Sequence, residues 1–179
     1  METPAPKEGR KRVVVATLTL SDTRTEADDE GGKLLRSLLA GAGFDLGAHA
    51  IVREDVDRIR EAVRALAGDD GIDAIVTTGG TGLAPRDVTL TAIESLFDKP
   101  MVGFGEAFRR LSWDDIGPRA MLSNAAAGVV AGKIVIALPG SPKAIDLAVP
   151  KLVAPVLGHA VDVARGRARH HHGPRHGGT

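Results

Sequence analysis

Apolar, β-branched residues dominate short segments at 13–18, 73–76 and 133–138, with a weaker one at 44–52. Segments of this kind predict parallel strands covered on both faces. Between them the apolar spacing changes to that of a helix. Leucines at 34, 35, 38 and 39 predict an amphipathic helix over 33–40, stopped by Gly41 and Gly43. Val56, Ile59, Val63 and Leu66 predict a second helix, closed by the turn 68–71. Leu90, Ile93, Leu96 and Phe97 predict a short third helix, capped by Thr89 or Thr91. Residues 106–111 read as helical, and 121–130 as a helix of small residues. A final helix is built on Ile145, Ala148, Leu152, Val156 and Leu157. Ser141 is its expected N-cap and Pro142 its first residue, while Pro150 and Pro155 must kink or split it. Strand and helix alternate throughout, so the predicted fold is α/β, a three-layer αβα sandwich around a mostly parallel sheet.

Composition narrows the function classes. A chain of 179 residues, 43% hydrophobic and 26% charged, predicts one globular domain with a sizeable core. Aromatics are 3% with no tyrosine, which argues against a base-stacking surface. Twenty-three basic residues balance twenty-three acidic ones, so no net field points to nucleic acid or membrane. The absence of cysteine excludes disulfides, thiolate metal sites and thiol nucleophiles. No apolar run approaches the roughly 20 residues of a bilayer span, and the polar first twelve residues lack a signal-peptide core. A cytoplasmic protein is expected. Its predicted organisation is a flexible N-terminus at 1–11, a domain at 12–164 and a disordered Arg/His/Gly tail at 165–179. Four of the six histidines lie in that tail, where a solvated segment is the expectation rather than a metal site.

The candidate chemistry starts at Thr77-Thr78-Gly79-Gly80-Thr81-Gly82, at the C-terminal end of the third strand run. Such a loop has little side-chain bulk, so its N–H groups can close on an anion. Open α/β sheets bind ligands at that edge. Arg86 and Asp87 place a cation and a carboxylate just beyond it. Other phosphate and nucleophile signatures fail. No G-x-G-x-x-G follows the first strand, and Gly128 to Lys133 is one residue short of a Walker loop. Ser141 sits in Pro-Gly-Ser-Pro rather than a nucleophile elbow. Three loops remain at predicted strand ends: Ser21-Asp22-Thr23, the glycine loop, and Pro139-Gly140-Ser141-Pro142. In a parallel sheet they share one edge and can converge on one ligand.

Taken in order, Ser-Asp after the first strand, Thr-Thr-Gly-Gly-Thr-Gly-x-x-x-Arg-Asp-Val-Thr, Ala-Met-Leu-Ser and Leu-Pro-Gly-Ser-Pro-Lys-Ala resemble the MoaB/MogA family of molybdenum-cofactor biosynthesis proteins. The resemblance covers about 12–164, and Gly103 to Arg109 leans toward the MoaB branch. It implies molybdopterin as substrate, a pterin dithiolene with a terminal phosphate. In adenylyltransferase members that phosphate receives AMP from Mg-ATP, so ATP and Mg²⁺ are the implied co-substrate and cofactor. A homotrimer is implied as well.

The same resemblance implies the site residues. Asp87 is the catalytic and magnesium-binding candidate, with Glu54 as the second acidic ligand and Asp55 its alternative or a helix cap. The substrate-binding candidates are Ser21, Asp22, Thr78, Gly79, Gly80, Thr81, Gly82, Arg86, Ser123, Pro139, Gly140, Ser141 and Lys143. Arg53 and Glu54 stand where adenylyltransferase members carry Pro-Asp, and Asn124 where an Arg is usual, which exchanges a guanidinium fork for an amide. Gly31 replaces a common Ser, with the N–H groups of Gly31-Gly32 expected free at a helix start. Trp113 and Phe104 read as core or subunit-contact residues. Two other functions fit these residues: a molybdopterin carrier without turnover, and a nucleotide pyrophosphatase on the same domain type.

Overall fold

A computed structural model describes residues 12–167. The expectations for 1–11 and 168–179 lie outside the described residues. The chain alternates β1 (Val14–Leu20), α1 (Glu30–Gly41), β2 (Asp45–Val52), α2 (Val56–Ala67), β3 (Ala74–Thr78) and α3 (Thr89–Glu94). It continues through a two-residue β4 (Lys99–Pro100), α4 (Val102–Ile116), a 3₁₀ segment (Gly117–Leu122), β5 (Ala126–Val130) and β6 (Lys133–Leu138). The closing helix is α5 (Pro142–Ala148), a π turn (Val149–Val153) and α6 (Ala154–Ala164).

The six strands form one sheet in the order β2-β1-β3-β6-β5-β4. β2, β1, β3 and β6 run parallel, while β5 is antiparallel to both neighbours. Strand alternation divides the core between the two faces. Val15, Val76, Ile134, Ile136 and Leu138 pack under α1, α4, α5 and α6 with Leu35, Leu39, Phe108, Ile145 and Leu157. Ala16, Leu18, Ile75, Val135 and Ala137 pack under α2 and α3 with Ile59, Val63, Ala92 and Ile93. The expected three-layer sandwich is therefore present, its central strands covered on both sides. From β1 the chain moves outward to β2 and then crosses back to β3, so the order reverses between β1 and β3. Their C-terminal ends leave the crevice where open α/β sheets take ligands.

Several elements depart from expectation. The segment 121–130 is not a helix: its first residues close the 3₁₀ turn and its last five are β5. Alanines favour helix locally, but Ala126–Val130 pairs with β6 across a turn in which Ala131 and Gly132 both have positive φ, 47° and 75°. A β-carbon on Gly128 would lie 2.5 Å from the Phe97 ring, so the glycine lets β5 meet that side chain. α3 has no side-chain cap; its N-cap is Val88. Ser141 does cap α5, accepting from the Ala144 N–H at 3.2 Å with Pro142 in the first turn. Pro150 and Pro155 split the last helix through the π turn.

The stretch Pro142–Ala164 is also long and apolar enough by composition to cross a bilayer, which corrects the expectation of no such run. Its Ile145, Ala148, Val149, Val153 and Leu157 are nonetheless buried against the sheet. Arg165, expected to open a disordered tail, is fixed by an ion pair at 2.6 Å to Asp73.

Candidate functional site

The crevice is built by close approach of backbones. Gly79 has φ +105°, and a Cβ there would stand 2.3 Å from the carbonyl of Leu20 at the end of β1. Its N–H donates to Leu138 O at 3.0 Å, at the end of β6. A Cβ on Gly140 would lie 3.2 Å from the Gly79 Cα, and one on Gly31 3.5 Å from Gly140 O. The turns after β1, β3 and β6 therefore meet in one place, with the first turn of α1 behind them. Only residues without side chains allow this approach.

The surrounding polar groups divide into those that hold the loops and those left open. Thr78 is buried, and its hydroxyl donates to Pro139 O at 3.0 Å. Thr89, expected as a cap, is fully buried; its hydroxyl donates to Gly79 O at 2.8 Å and its N–H to Gly80 O at 3.0 Å. Sequence reasoning missed this clamp, because a Thr near a helix start reads first as a cap. Thr81 is buried and its carbonyl accepts from Asn124 Nδ2 at 3.3 Å, so the amide ties the loop to the segment before β5. Ser21 Oγ accepts from the N–H groups of Thr23 and Arg24, both at 3.2 Å. Asp22 accepts from the Glu54 N–H at 3.2 Å and pairs with Arg53 at 3.5 Å. Ser21 and Asp22 thus shape the β1 turn and join it to the end of β2.

The α1 start also differs from expectation. Asp29, 3% exposed, is the N-cap, and its Oδ1 accepts the Gly32 N–H at 2.8 Å, so that N–H is not free. Its Oδ2 accepts from Thr19 Oγ1 at 2.7 Å and lies 3.3 Å from His49 Nε2 on β2. Nothing in the local sequence pattern links His49 to Asp29.

The two acidic candidates flank the glycine loop from opposite elements. Glu54 sits between β2 and α2, where its Oε1 would be 3.1 Å from a Cβ on Gly80. Asp87 closes a turn: Oδ2 accepts the Ala84 N–H at 2.9 Å and would lie 2.6 Å from a Cβ on Gly82. Partial burial pushes the Glu54 carboxyl above its ordinary 4.5, and the negative charges of Asp87 and Asp22 push the same way while Arg86 opposes them. Asp55 is spent as the α2 cap, accepting the Arg58 N–H at 2.9 Å. Asp87, by contrast, is not a cap. Arg86 is exposed beside the loop. Ser123, Ser141 and Lys143 line a cleft of about 650 Å³ between α4 and α5 that opens beside Pro139 and Gly140. Phe104 is core, and Trp113 is half exposed.

A parallel sheet whose switch-point turns are glycine-rich, with carboxylates and cations at their margin, defines an αβα ligand-binding domain suited to a phosphorylated small molecule. A family model described as "Probable molybdopterin binding domain" matches residues 16–159. Molybdenum cofactor biosynthesis protein B of Bacillus cereus is 47% identical over 156 residues, which are 87% of this chain and 90% of that relative. A crystal structure of a molybdenum cofactor biosynthesis protein B superposes with TM-score 0.84 at 44% identity, covering 87% of this chain and 98% of the other. The tungsten cofactor synthesizing protein MoaB from Pyrococcus furiosus gives TM-score 0.76 at 31% identity, over 87% and 99%. The chain belongs to the MoaB/MogA family of molybdenum-cofactor biosynthesis proteins.

Proposed function

We propose that the protein binds molybdopterin at the β1–β3–β6 crevice and transfers AMP from Mg-ATP to its terminal phosphate in the cytoplasm. The observation that carries the reading is the pair Glu54 beside Gly80 and Asp87 beside Gly82, where partial burial and the like charges of Asp87 and Asp22 raise the Glu54 carboxyl. Negative charge is concentrated there beside a loop whose backbone suits a phosphate, an arrangement that calls for a cation. Hard carboxylate oxygens fit magnesium, which usually takes one or two of them plus phosphate oxygens and water. Among the described residues no three acidic or imidazole groups gather into a closed metal cage, which agrees with a metal held partly by substrate.

Asp87 Oδ1 and the Glu54 carboxylate would hold the ion, which supplies neutralisation of the departing pyrophosphate. The protein's own part is positioning. Backbone N–H groups of 80–82 cradle phosphate, Arg86 and Lys143 add positive charge, and Thr78, Thr89 and Asn124 keep the loop rigid. One terminal-phosphate oxygen of molybdopterin attacks the α-phosphorus of ATP. That P–O bond forms as the bond to pyrophosphate breaks. Exposed Val102, Trp113, Met121 and Leu122 on α4 and the 3₁₀ segment offer an apolar contact face for the implied trimer.

The test is molybdopterin-dependent release of pyrophosphate by the purified protein. Asp87→Ala should slow it by about 100-fold or more while pterin binding survives. Equal turnover by both proteins removes Asp87 from the chemistry. Pterin binding without pyrophosphate release in the wild type selects the carrier reading, which the longer reach of Glu54 and the amide of Asn124 favour. Hydrolysis of a dinucleotide without pterin selects the pyrophosphatase.

A further inference from the structure

We propose that the cleft between α4 and α5 seats the ligand's bicyclic ring, and that Asp115 selects its 2-amino-4-oxopyrimidine edge. This rests on the reading that a pterin phosphate occupies the crevice, and it names the part of the protein that would tell that ring from others.

The cleft and the crevice are continuous at two points. Ser141 lines the cleft, and the preceding Gly140 packs on Gly79. Ser123 lines it too, and the following Asn124 bonds Thr81 O. A phosphate held between the glycine loop and the Pro-Gly turn therefore leaves the rest of its molecule at the mouth of this cleft. A second cleft of about 400 Å³, between α3 and α4, borders Asn124 but not the Pro139–Lys143 turn. The larger volume, about 650 Å³, falls within the roughly 300–1,000 Å³ usual for small-molecule sites.

Its lining matches a flat heterocycle with a polar end. Phe108, Ser112, Asp115 and Ile116 follow one face of α4 at i, i+4, i+7 and i+8. Phe108 and Leu147 are buried at the base, giving apolar surface for ring faces. Lys143, Asp146 and Lys151 come from the opposite wall. Among the described residues none of these lysines and aspartates is ion-paired, although opposite charges face the same space. Asp146 shares its wall with both lysines, whereas Asp115 stands across from them on the C-terminal turn of α4. A pterin presents two adjacent donors, the 2-amino group and N3–H, and a carboxylate accepts both, as it does from a guanidinium. Guanine carries the same edge, so the experiment must separate the two sources.

The full chain is titrated with neopterin monophosphate, its lumazine counterpart (a carbonyl replacing the 2-amino group), GMP and inorganic phosphate. The wild type should prefer the pterin to the lumazine by about tenfold or more, the scale of a lost hydrogen bond to a charged group. Asp115→Asn should collapse that ratio toward unity. Asp115 is exposed, so the variant is expected to fold. A ratio retained in Asp115→Asn, or no preference in the wild type, overturns the assignment. A wild type that binds none of the four phosphates overturns both this and the parent reading. Tighter binding of GMP upholds Asp115 as the edge reader but overturns the pterin as occupant.

Discussion

The two ends of β3 handle charge in opposite ways. At its N-terminal end Asp73 is 5% exposed and saturated: it accepts the Val14 N–H at 2.7 Å and meets Arg165 at 2.6 Å. Lys133 is buried beside it and donates to Ile72 O at 2.6 Å and Asp69 O at 3.1 Å. These bonds fasten the end of α6, the start of β6 and the turn before β3 to one another. At the C-terminal end, Glu54 and Asp87 face the glycine loop with no ion-pair partner among the described residues, and partial burial, with the negative charges of Asp87 and Asp22, raises Glu54. Charge at the first end secures the fold. Charge at the second is left unbalanced, which costs stability and prepares a place for a ligand that brings the missing cation and phosphate.

The largest effect should come from breaking the paired end. Asp73→Ala strands Arg165 and orphans the Val14 N–H, so it should cost about 3 kcal/mol in urea unfolding. Asp87→Ala at the other end should move stability by less than about 1 kcal/mol. Similar losses from both would dissolve the contrast. A smaller change of opposite sign is expected along the same strand. Thr77 is fully buried and its hydroxyl finds no partner among the described residues. Thr77→Val keeps the shape and removes the unsatisfied oxygen, so it should stabilise by about 1 kcal/mol; destabilisation would reveal a hidden partner.

The smallest effect is pH-dependent. A carboxyl raised in the folded state is penalised when charged, so the penalty is full above the folded pKa, fades as pH falls through it, and is gone below the ordinary 4.5. Glu54→Gln should therefore raise Tm slightly near pH 7 and lose that gain below about pH 4. A variant whose advantage grew in acid would reverse the sign and sink the electrostatic account of this end.

Much of this architecture is legible in one dimension. The apolar segments are β1, β3 and β6, and leucine spacing marks α1 because burial on one helix face imposes its own period. The Ser141-Pro142 start and the split at Pro150 and Pro155 follow from local stereochemistry. β5 was hidden, since Ala126–Val130 becomes a strand only through β6, and its turn places Ala131 at an unfavourable positive φ. Thr89 reads locally as a cap because its actual partner, Gly79 O, lies across a loop. The pairing of Asp29 with His49 joins separate elements and leaves no local trace.

The alternation of strands and helices, the glycine-rich loop and the acids near it are written along the chain, because periodicity, caps and side-chain bulk act over a few residues. Folding in three dimensions settles that the turns after β1, β3 and β6 meet, that Asp55 caps a helix while Glu54 faces Gly80, and that Asp115 shares a cleft with Lys143. Those choices depend on which backbones approach within a few ångströms once the sheet is assembled, and chain connectivity alone does not carry that information.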